Sequence, residues 1–248
     1  MCPDPDIRYI LYNNGEKQVV DYTQSDWLRQ SIWDPTKEDV FLIHGYAGGD
    51  DVLPMVVLRD GAHTCGLISR YVIFRLHRII ALDPARPLIP PASRLSSGDA
   101  GAVHVLHTNA GHYGEAGRGG HVDFCINGGR IQPYCEDAEI DVQLCSHVWA
   151  VCYMAESLYP QMSKKAEPCS RRCPSGPRPG NRVGLPVFMG QSTPLTASGS
   201  YCVHDKYPPF CPTKQGEIGD KRCCLKAPDI VAPETEVSIV STTPNLFS

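Results

Sequence analysis

Two short apolar runs, each ending abruptly at polar residues, most constrain how this 248-residue chain can fold. Val40–Ile43 stops at His44, and Arg78–Leu82 stops at Asp83. Both runs are continuous rather than alternating, which is typical of parallel strands covered on both faces. Residues 61–76, which lie between them, carry apolar positions near helical spacing. Strand, helix and strand in this order predict an α/β architecture.

The segments around these runs add a hairpin and further short elements. Asn13–Gly15 supplies turn residues between two β-prone segments, Ile7–Tyr12 and Gln18–Tyr22, so an antiparallel hairpin is expected there. The other predicted elements are strands at Ala102–His107 and His121–Phe124, and a helix at 146–158 that Ser146 opens.

Composition divides the chain into one domain and a tail. Apolar residues make up 42% of the sequence, which is enough for a sizeable core. From about residue 164 the chain becomes rich in Pro, Gly and Ser, and after Cys224 it is rich in Pro, Thr and Ser. We therefore expect a domain over 1–224 and a disordered tail over 225–248.

Charge and hydropathy exclude two classes of partner. The 23 Lys and Arg residues are balanced by 27 Asp and Glu residues, so the sequence predicts no nucleic-acid partner. The longest apolar stretches, such as Val52–Leu58, are far shorter than the roughly 20 residues that a membrane-spanning helix needs. Residues 1–6 are acidic and no apolar segment follows, so no signal peptide is predicted within the chain.

The twelve cysteines indicate an oxidising compartment. Their number is even and most lie in the second half of the chain, a pattern that favours disulfides and a secreted, extracellular protein. Zinc is the alternative for the pair Cys169 and Cys173 and for the pair Cys223 and Cys224. Neither pair has a second pair of ligands at the spacing of a zinc finger or ribbon, so no metal and no cofactor are predicted.

Three polar groups lie where α/β enzymes place catalytic residues, just beyond the carboxyl ends of strands or at a helix start. They are His44–Tyr46, Asp83 and His147. Taken singly, each has a simpler explanation as a turn, a turn initiator or a helix cap.

Together these groups belong to an ordered series of motifs. The series resembles the pancreatic-lipase family of secreted lipases, in particular its insect phospholipase A1 branch, and runs from residue 2 to about residue 212. Its motifs are Phe41–Tyr46, Gly61–His63, Ala81–Pro87, Val105–Thr108, Gly120–Phe124, Asn127–Gly129 with Gln132, Pro133 and Cys135, and Cys145–His147.

The resemblance implies an α/β-hydrolase fold, with a central, mostly parallel sheet and helices on both faces, and a catalytic triad in the order Ser, Asp, His. Asp83 matches the residue that orients the histidine, and His147 matches the general base. Tyr46 matches the residue whose backbone N–H serves the oxyanion hole, and Gly45 lets the backbone approach the ester closely.

The nucleophile departs from the family pattern. The family carries Gly-His-Ser-Leu-Gly-Ala-His, whereas this chain has Val57–His63, with Arg59 at the position of the serine. Only 16 positions separate Gly45 from Gly61, although the family places helices and strands between these motifs. We therefore infer that a contiguous block is missing near residues 60 and 61, which would leave the sheet incomplete at its centre.

No other residue restores the nucleophile. The Arg59 guanidinium stays protonated and cannot attack an ester. Cys65 lies one helical turn past Gly61, where a buried or disulfide-bonded cysteine is the simpler interpretation. The resemblance also pairs Cys2 with a cysteine of the missing block, so Cys2 could lack its partner and the shortened chain could fold poorly.

The resemblance also bears on the substrate. It implies a lid closed by Cys135 and Cys145, with only nine residues between them, and a short neighbouring loop at Thr108–Gly120. Short lids and loops leave an open cleft, so we favour a phospholipase A1 that cleaves the sn-1 ester at a lipid interface over a triacylglycerol lipase.

Two further expectations concern partners and class. A colipase-type partner is not expected, because no C-terminal β-sandwich follows the domain in the sequence. A non-catalytic lipid-binding protein similar to the yolk proteins is the alternative of another class. Retention of both Asp83 and His147 disfavours it.

Overall fold

In a computed structural model, the structure describes residues 9–13, 16–21, 23–24, 26–36, 74–86, 89–136, 141–159, 162–169, 173, 184–205 and 209. It divides into two compact units, residues 1–41 and residues 42–248. The proposed boundary between residues 60 and 61 and the tail at 225–248 both lie outside the described residues. So do the first apolar run, Val40–Ile43, and most of the predicted helix at 61–76.

The first unit contains an antiparallel hairpin. Strand β1 (Tyr9–Asn13) pairs with strand β2 (Glu16–Val20), and Tyr9 lies opposite Val20. The side chain of Asn13 donates to the carbonyl of Ile32 at 2.6 Å, and Gln18 accepts from the Ile32 amide at 2.8 Å. The predicted hairpin is confirmed, and its strands are tied to the turns that follow.

The second unit is built on a six-stranded, mostly parallel sheet. In chain order its strands are β3 (Leu76–Leu82), β4 (Ala100–His107), β5 (Val122–Ile126), β6 (Lys165–Pro168), β7 (Val187–Phe188) and β8 (Gly199–Val203). Their spatial order is β3-β4-β5-β8-β6-β7. The pairs β3–β4, β4–β5 and β5–β8 are parallel, whereas β6 runs antiparallel to both β8 and β7.

One long helix, α1 (Val142–Ser157), covers one face of this sheet. Trp149 and Tyr153 of α1 pack in the same buried cluster as Leu106 and Phe124 of the sheet. A second buried cluster, which includes Val103, lies on the opposite side of β4. Strand β4 is therefore covered on both faces.

The helix begins earlier than its sequence suggests. Asp141 caps α1, because its side chain accepts from the backbone amides of Gln143 and Leu144 at 3.1 and 2.8 Å. The prediction that Ser146 opens the helix is wrong. Ser146 is buried one turn inside, where its hydroxyl donates to the carbonyl of Val142 at 2.7 Å and accepts from the amide of Gln132 at 3.0 Å.

Six described cysteines of the second unit pair with one another in disulfides. The structure joins Cys125 to Cys173, Cys135 to Cys145, and Cys169 to Cys202. Zinc binding by Cys169 and Cys173 is therefore excluded, while Cys223 and Cys224 lie outside the described residues. Within the described ranges, no group of three or more His, Cys, Asp or Glu side chains is arranged to hold a metal ion. A search of the same ranges finds no helix with the length and apolar character to cross a membrane.

Candidate functional site

The geometry of the site begins at the carboxyl end of β3. Asp83 is the residue that follows this strand, and its amide still donates to the carbonyl of Leu106 on β4 at 2.7 Å. Its backbone then turns into the left-handed region, with a φ of 46°. Aspartate adopts this region more readily than most residues, and such conformations are concentrated at functional sites. The turn directs the Asp83 carboxylate toward helix α1.

His147 reaches the carboxylate from the second turn of α1. Its Nδ1 lies 2.7 Å from Oδ2 of Asp83. The Asp83 side chain is fully buried, whereas 19% of the His147 side chain remains exposed. A carboxylate at Nδ1 holds the imidazole in one tautomer, so that Nε2 is the nitrogen that would accept a proton from a nucleophile.

Backbone amides fix the other carboxylate oxygen. Oδ1 of Asp83 accepts from the amides of Thr108 and Asn109 at 2.9 and 3.0 Å. Both amides follow directly after β4, so the parallel pairing of β3 with β4 delivers them to the carboxylate. These hydrogen bonds fix the orientation of the carboxylate, so that Oδ2 is the oxygen that faces the imidazole.

The loop Thr108–Gly120 carries further contacts to the pair. The ring of Tyr113 lies 5.6 Å from that of His147, measured between centroids. The side chain of Asn109 donates to Gln143 of α1 at 2.7 Å and accepts from the Tyr113 amide at 3.0 Å. Asn109 thus links the Asp83 carboxylate, the loop and the first turn of α1.

A second buried pair supports the same loop. Nε2 of His107 lies 3.0 Å from Oδ1 of Asp123, and its Nδ1 lies 3.0 Å from the carbonyl of Glu115 in the loop. Arg118 Nε lies 3.5 Å from the other oxygen of Asp123. His107 and Asp123 are both nearly fully buried, so this pair fixes the loop rather than facing a substrate.

The disulfide Cys135–Cys145 anchors the first turn of α1 to the short 3-10 helix Pro133–Cys135. Cys145 lies two residues before His147, so the link restricts the position of the histidine. Part of the segment between the two cysteines, residues 137–140, lies outside the described residues. The acidic side chain of Asp141 at its end serves as the cap of the helix.

The structure brings together some of the predicted site residues and leaves others out. Asp83, His147, Cys135 and Cys145 lie in one region of the second unit. The expected oxyanion-hole residues Gly45 and Tyr46, and Gly61 at the altered elbow, lie outside the described residues, as do His44 and Cys65.

Comparison with known proteins places this site in a family. The family model described as Lipase matches residues 54–173, a range that contains the Asp83–His147 pair and the Cys135–Cys145 disulfide. Residues 54–173 carry a lipase-family domain.

Two curated lipase relatives illustrate the match. Lipase member H of Oryctolagus cuniculus is 33% identical over 178 residues, which cover 68% of this chain and 39% of that protein. Phospholipase A1 member A of Rattus norvegicus is 37% identical over 116 residues, which cover 44% of this chain and 25% of that protein. The chain therefore spans less than half the length of these relatives.

The lipase-family match explains the architecture around the Asp83–His147 pair. The mostly parallel sheet, with α1 packed on it, is part of an α/β-hydrolase fold. Asp83 and His147 occur in the chain order that this fold uses for the last two members of a triad.

Several residues that hold the Asp83–His147 pair carry no signal of that role in the sequence. Thr108 ends the motif Val105–Thr108, and Asn109 belongs to no motif. Both hold Asp83 through backbone amides, which any residue other than proline could supply. Gly114 and Tyr113 lie in a loop of thirteen residues with five glycines. That density of glycine was the one available signal that the loop passes close to other groups.

Proposed function

We propose that this chain is a shortened, catalytically silent form of a secreted lipid carboxylic-ester hydrolase of the phospholipase A1 type. One observation carries the proposal: the Asp83–His147 pair is assembled at 2.7 Å. The segment preceding Gly61 nevertheless contains no serine to which the pair could be coupled. The proposal thus combines an intact base with an absent nucleophile.

The assembled pair supports ester hydrolysis by the family mechanism. In that mechanism His147 takes the proton of a serine hydroxyl as the oxygen attacks the ester carbonyl, and later returns it to the leaving alcohol. Asp83 stabilises the imidazolium that forms between these steps. Its complete burial and two backbone donors keep the carboxylate in one orientation.

The missing serine supports inactivity. By its resemblance to the family motif, Arg59 stands where the serine is expected, and an arginine remains protonated. Loss of a triad nucleophile leaves only the catalysis supplied by binding and the oxyanion hole, a fall of about 10⁶ in kcat in a well-studied serine hydrolase. The chain is therefore proposed to be silent rather than merely slow.

Three observations support a phospholipid rather than a triacylglycerol substrate. The disulfide Cys135–Cys145 encloses only nine residues, and the loop Thr108–Gly120 is short and packed onto the site. Several relatives are named phospholipase A1 member A. By resemblance to the family, a short lid and a short loop are expected to leave an open cleft, which suits a bulky phospholipid headgroup.

Secretion rests on the cysteines. Three disulfides join described residues, and such bonds persist in oxidising compartments. The proposed partners are phospholipid or acylglycerol molecules at a lipid interface, without colipase and without nucleic acid.

The proposal is tested by restoring the nucleophile. A segment carrying the elbow of the family motif Gly-His-Ser-Leu-Gly-Ala-His would be inserted between Asp60 and Gly61. Cooperative unfolding and intact disulfides would be verified first. Hydrolysis of phospholipids and triacylglycerols labelled at the sn-1 position would then be measured for the parent and the inserted chain.

We expect the inserted chain to release the sn-1 acyl group of phospholipids and the parent chain to release none. His147→Ala in the inserted chain should abolish the gain. A folded inserted chain without lipid hydrolysis would contradict the assignment. If that chain preferred triacylglycerols, the proposed phospholipid substrate would be wrong and triacylglycerol would take its place. Saturable lipid binding by both chains without hydrolysis would favour the non-catalytic alternative.

A further inference from the structure

The backbone of Gly114 lies directly against the carboxylate of Asp83. A Cβ atom built on Gly114 would lie 2.5 Å from Cγ of Asp83 and closer still to both carboxylate oxygens. Real Cβ atoms essentially never approach another heavy atom so closely. Because the hypothetical atom would lie this close to Cγ and to both oxygens, the backbone of Gly114 packs directly against the carboxylate group.

The need for glycine at this position is steric and not conformational. The backbone of Gly114 does not lie in the left-handed region, in contrast to Gly111 of the same loop, which has a φ of 92°. Any residue could therefore adopt the backbone angles of Gly114. Only the space above Asp83 requires that the side chain be absent.

The loop cannot move away from the carboxylate without losing hydrogen bonds on both sides of Gly114. The amide of Arg86 donates to the carbonyl of Tyr113 at 2.7 Å, and the amide of Glu115 donates to the carbonyl of Pro84 at 2.8 Å. Pro84 and Arg86 follow Asp83 in the chain, so the two segments are fastened together around the carboxylate. A side chain at Gly114 must therefore displace Asp83 itself.

We propose that Gly114 is a positioning residue for the Asp83–His147 pair. Its bare backbone closes the third side of the carboxylate, whose oxygens are held by two amides and by Nδ1 of His147. This contact excludes water from Asp83 and keeps Oδ2 aimed at the imidazole. The inference rests on the proposed function for its catalytic meaning, but the contact itself can be measured without hydrolysis.

The test uses Gly114→Ala in the full chain, with Gly117→Ala as the matched control in the same loop. A Cβ at Gly117 would meet only Oε1 of Glu115, at an ordinary 3.6 Å, and its backbone is not left-handed. The ¹⁵N chemical shifts of the His147 ring report which nitrogen carries the proton. We expect Nδ1–H in the parent and in Gly117→Ala, and a mixture of tautomers in Gly114→Ala.

Thermal unfolding of a double-mutant cycle with Asp83→Gly tests the same contact independently. Glycine tolerates the left-handed conformation at position 83 and removes the carboxylate that the new methyl group would strike. We expect Gly114→Ala to lower the melting temperature by ~5 °C in the parent and by little in the Asp83→Gly background.

Each outcome decides the inference. A parent-like tautomer in folded Gly114→Ala, or an equal loss of melting temperature in both backgrounds, overturns it. If Gly114→Ala does not fold, recovery of cooperative unfolding in the double variant supports the contact, and failure to recover overturns it. Neither the ring ¹⁵N shifts nor the melting temperatures depend on ester hydrolysis. A failed hydrolysis assay would therefore contradict the proposed function without affecting the test of Gly114.

Discussion

Nδ1 of His147 lies 2.7 Å from Oδ2 of Asp83, although 64 positions separate the two residues in the chain. The contact depends on the left-handed turn after β3 and on the cap that starts α1 at Asp141. An imidazole held in this way is prepared to accept a proton from a nucleophile. Under the proposed function, Arg59 stands where the family carries the serine, so this base would have no nucleophile to activate.

Asp83→Asn should change the His147 tautomer and lower stability. The amide oxygen can still accept from Thr108 and Asn109, so the amide NH₂ faces Nδ1 of His147 and forces the ring proton to Nε2. Loss of the charge-assisted bond should lower the free energy of unfolding by about 1–3 kcal/mol. Ring ¹⁵N shifts measure the tautomer, and urea denaturation measures the stability. If His147 kept the tautomer of the parent in Asp83→Asn, the contact between its Nδ1 and Oδ2 of Asp83 would be contradicted.

Lys164→Met should be strongly destabilising. Lys164 Nζ lies 2.9 Å from Oε2 of Glu156 and also pairs with Asp205, and both carboxylates are largely buried. Removing the cation leaves two carboxylates without this ion pair, which should lower the free energy of unfolding by about 3 kcal/mol.

The neighbouring Lys165→Met is the matched control for that prediction. Lys165 pairs with Glu167 at 3.7 Å, but the two side chains are 64% and 44% exposed. Its substitution should change the free energy of unfolding by less than about 0.5 kcal/mol. Equal effects of the two substitutions in urea denaturation would show that the buried ion pairs do not stabilise the fold.

His104 should make the fold sensitive to acid. The side chain is fully buried, and neither ring nitrogen has a hydrogen-bond partner among the described residues. Burial, together with the charges of Arg78 and His121, lowers the pKa of His104 from 6.5 to about 4. The unfolded chain therefore binds the proton first, and stability falls as the pH drops from about 6.5 through 4, by up to about 3 kcal/mol.

His104→Leu should remove this part of the pH dependence, because leucine does not titrate. His77→Leu, at an exposed position on the adjacent strand β3, should leave it unchanged. Urea denaturation at several pH values from about 7 to about 4 measures how the free energy of unfolding depends on pH. A parent-like slope in His104→Leu would show that other groups cause the acid sensitivity.

The disulfide next to the site should contribute less stability than a disulfide that closes a longer loop. Cys135 and Cys145 are 10 positions apart, whereas Cys169 and Cys202 are 33 apart. From the loop-closure entropy of the unfolded chain, the first bond should stabilise the fold by about 2–3 kcal/mol and the second by about 1 kcal/mol more. Denaturation of the two double Cys→Ala variants tests this order, and a larger loss at Cys135 and Cys145 would indicate an additional role in positioning α1.

The sequence predicts β3, β4 and β5 well because their apolar pattern reflects burial. It predicts none of β6, β7 and β8, which are short and lie in the part of the chain that is rich in Pro, Gly and Ser. Strands β4 and β5 lie within two residues of their predicted positions, and the Asn-Gly turn identifies the hairpin β1–β2. The start of α1 was misplaced because Asp141 and Ser146 are both good caps, and only the packing of Gln132 against Ser146 decides between them.

The candidate site is predictable only in part, because some of its residues act through contacts that form only in the folded chain. Motif order identifies Asp83 and His147, since catalytic chemistry demands those residue types. The residues that hold them act through backbone groups or through the absence of a side chain, as with Asn109 and Gly114. Such roles arise from close approach in the folded chain and leave no distinctive local pattern.

The most direct test of catalytic silence is the reaction of the folded 248-residue chain with a fluorophosphonate probe, followed by intact mass. An sn-1-labelled phospholipid in vesicles gives the parallel readout of acyl release, and His147→Ala is the control. We predict no covalent adduct and no acyl release above that control. A stoichiometric adduct that His147→Ala abolishes would contradict the absence of a nucleophile.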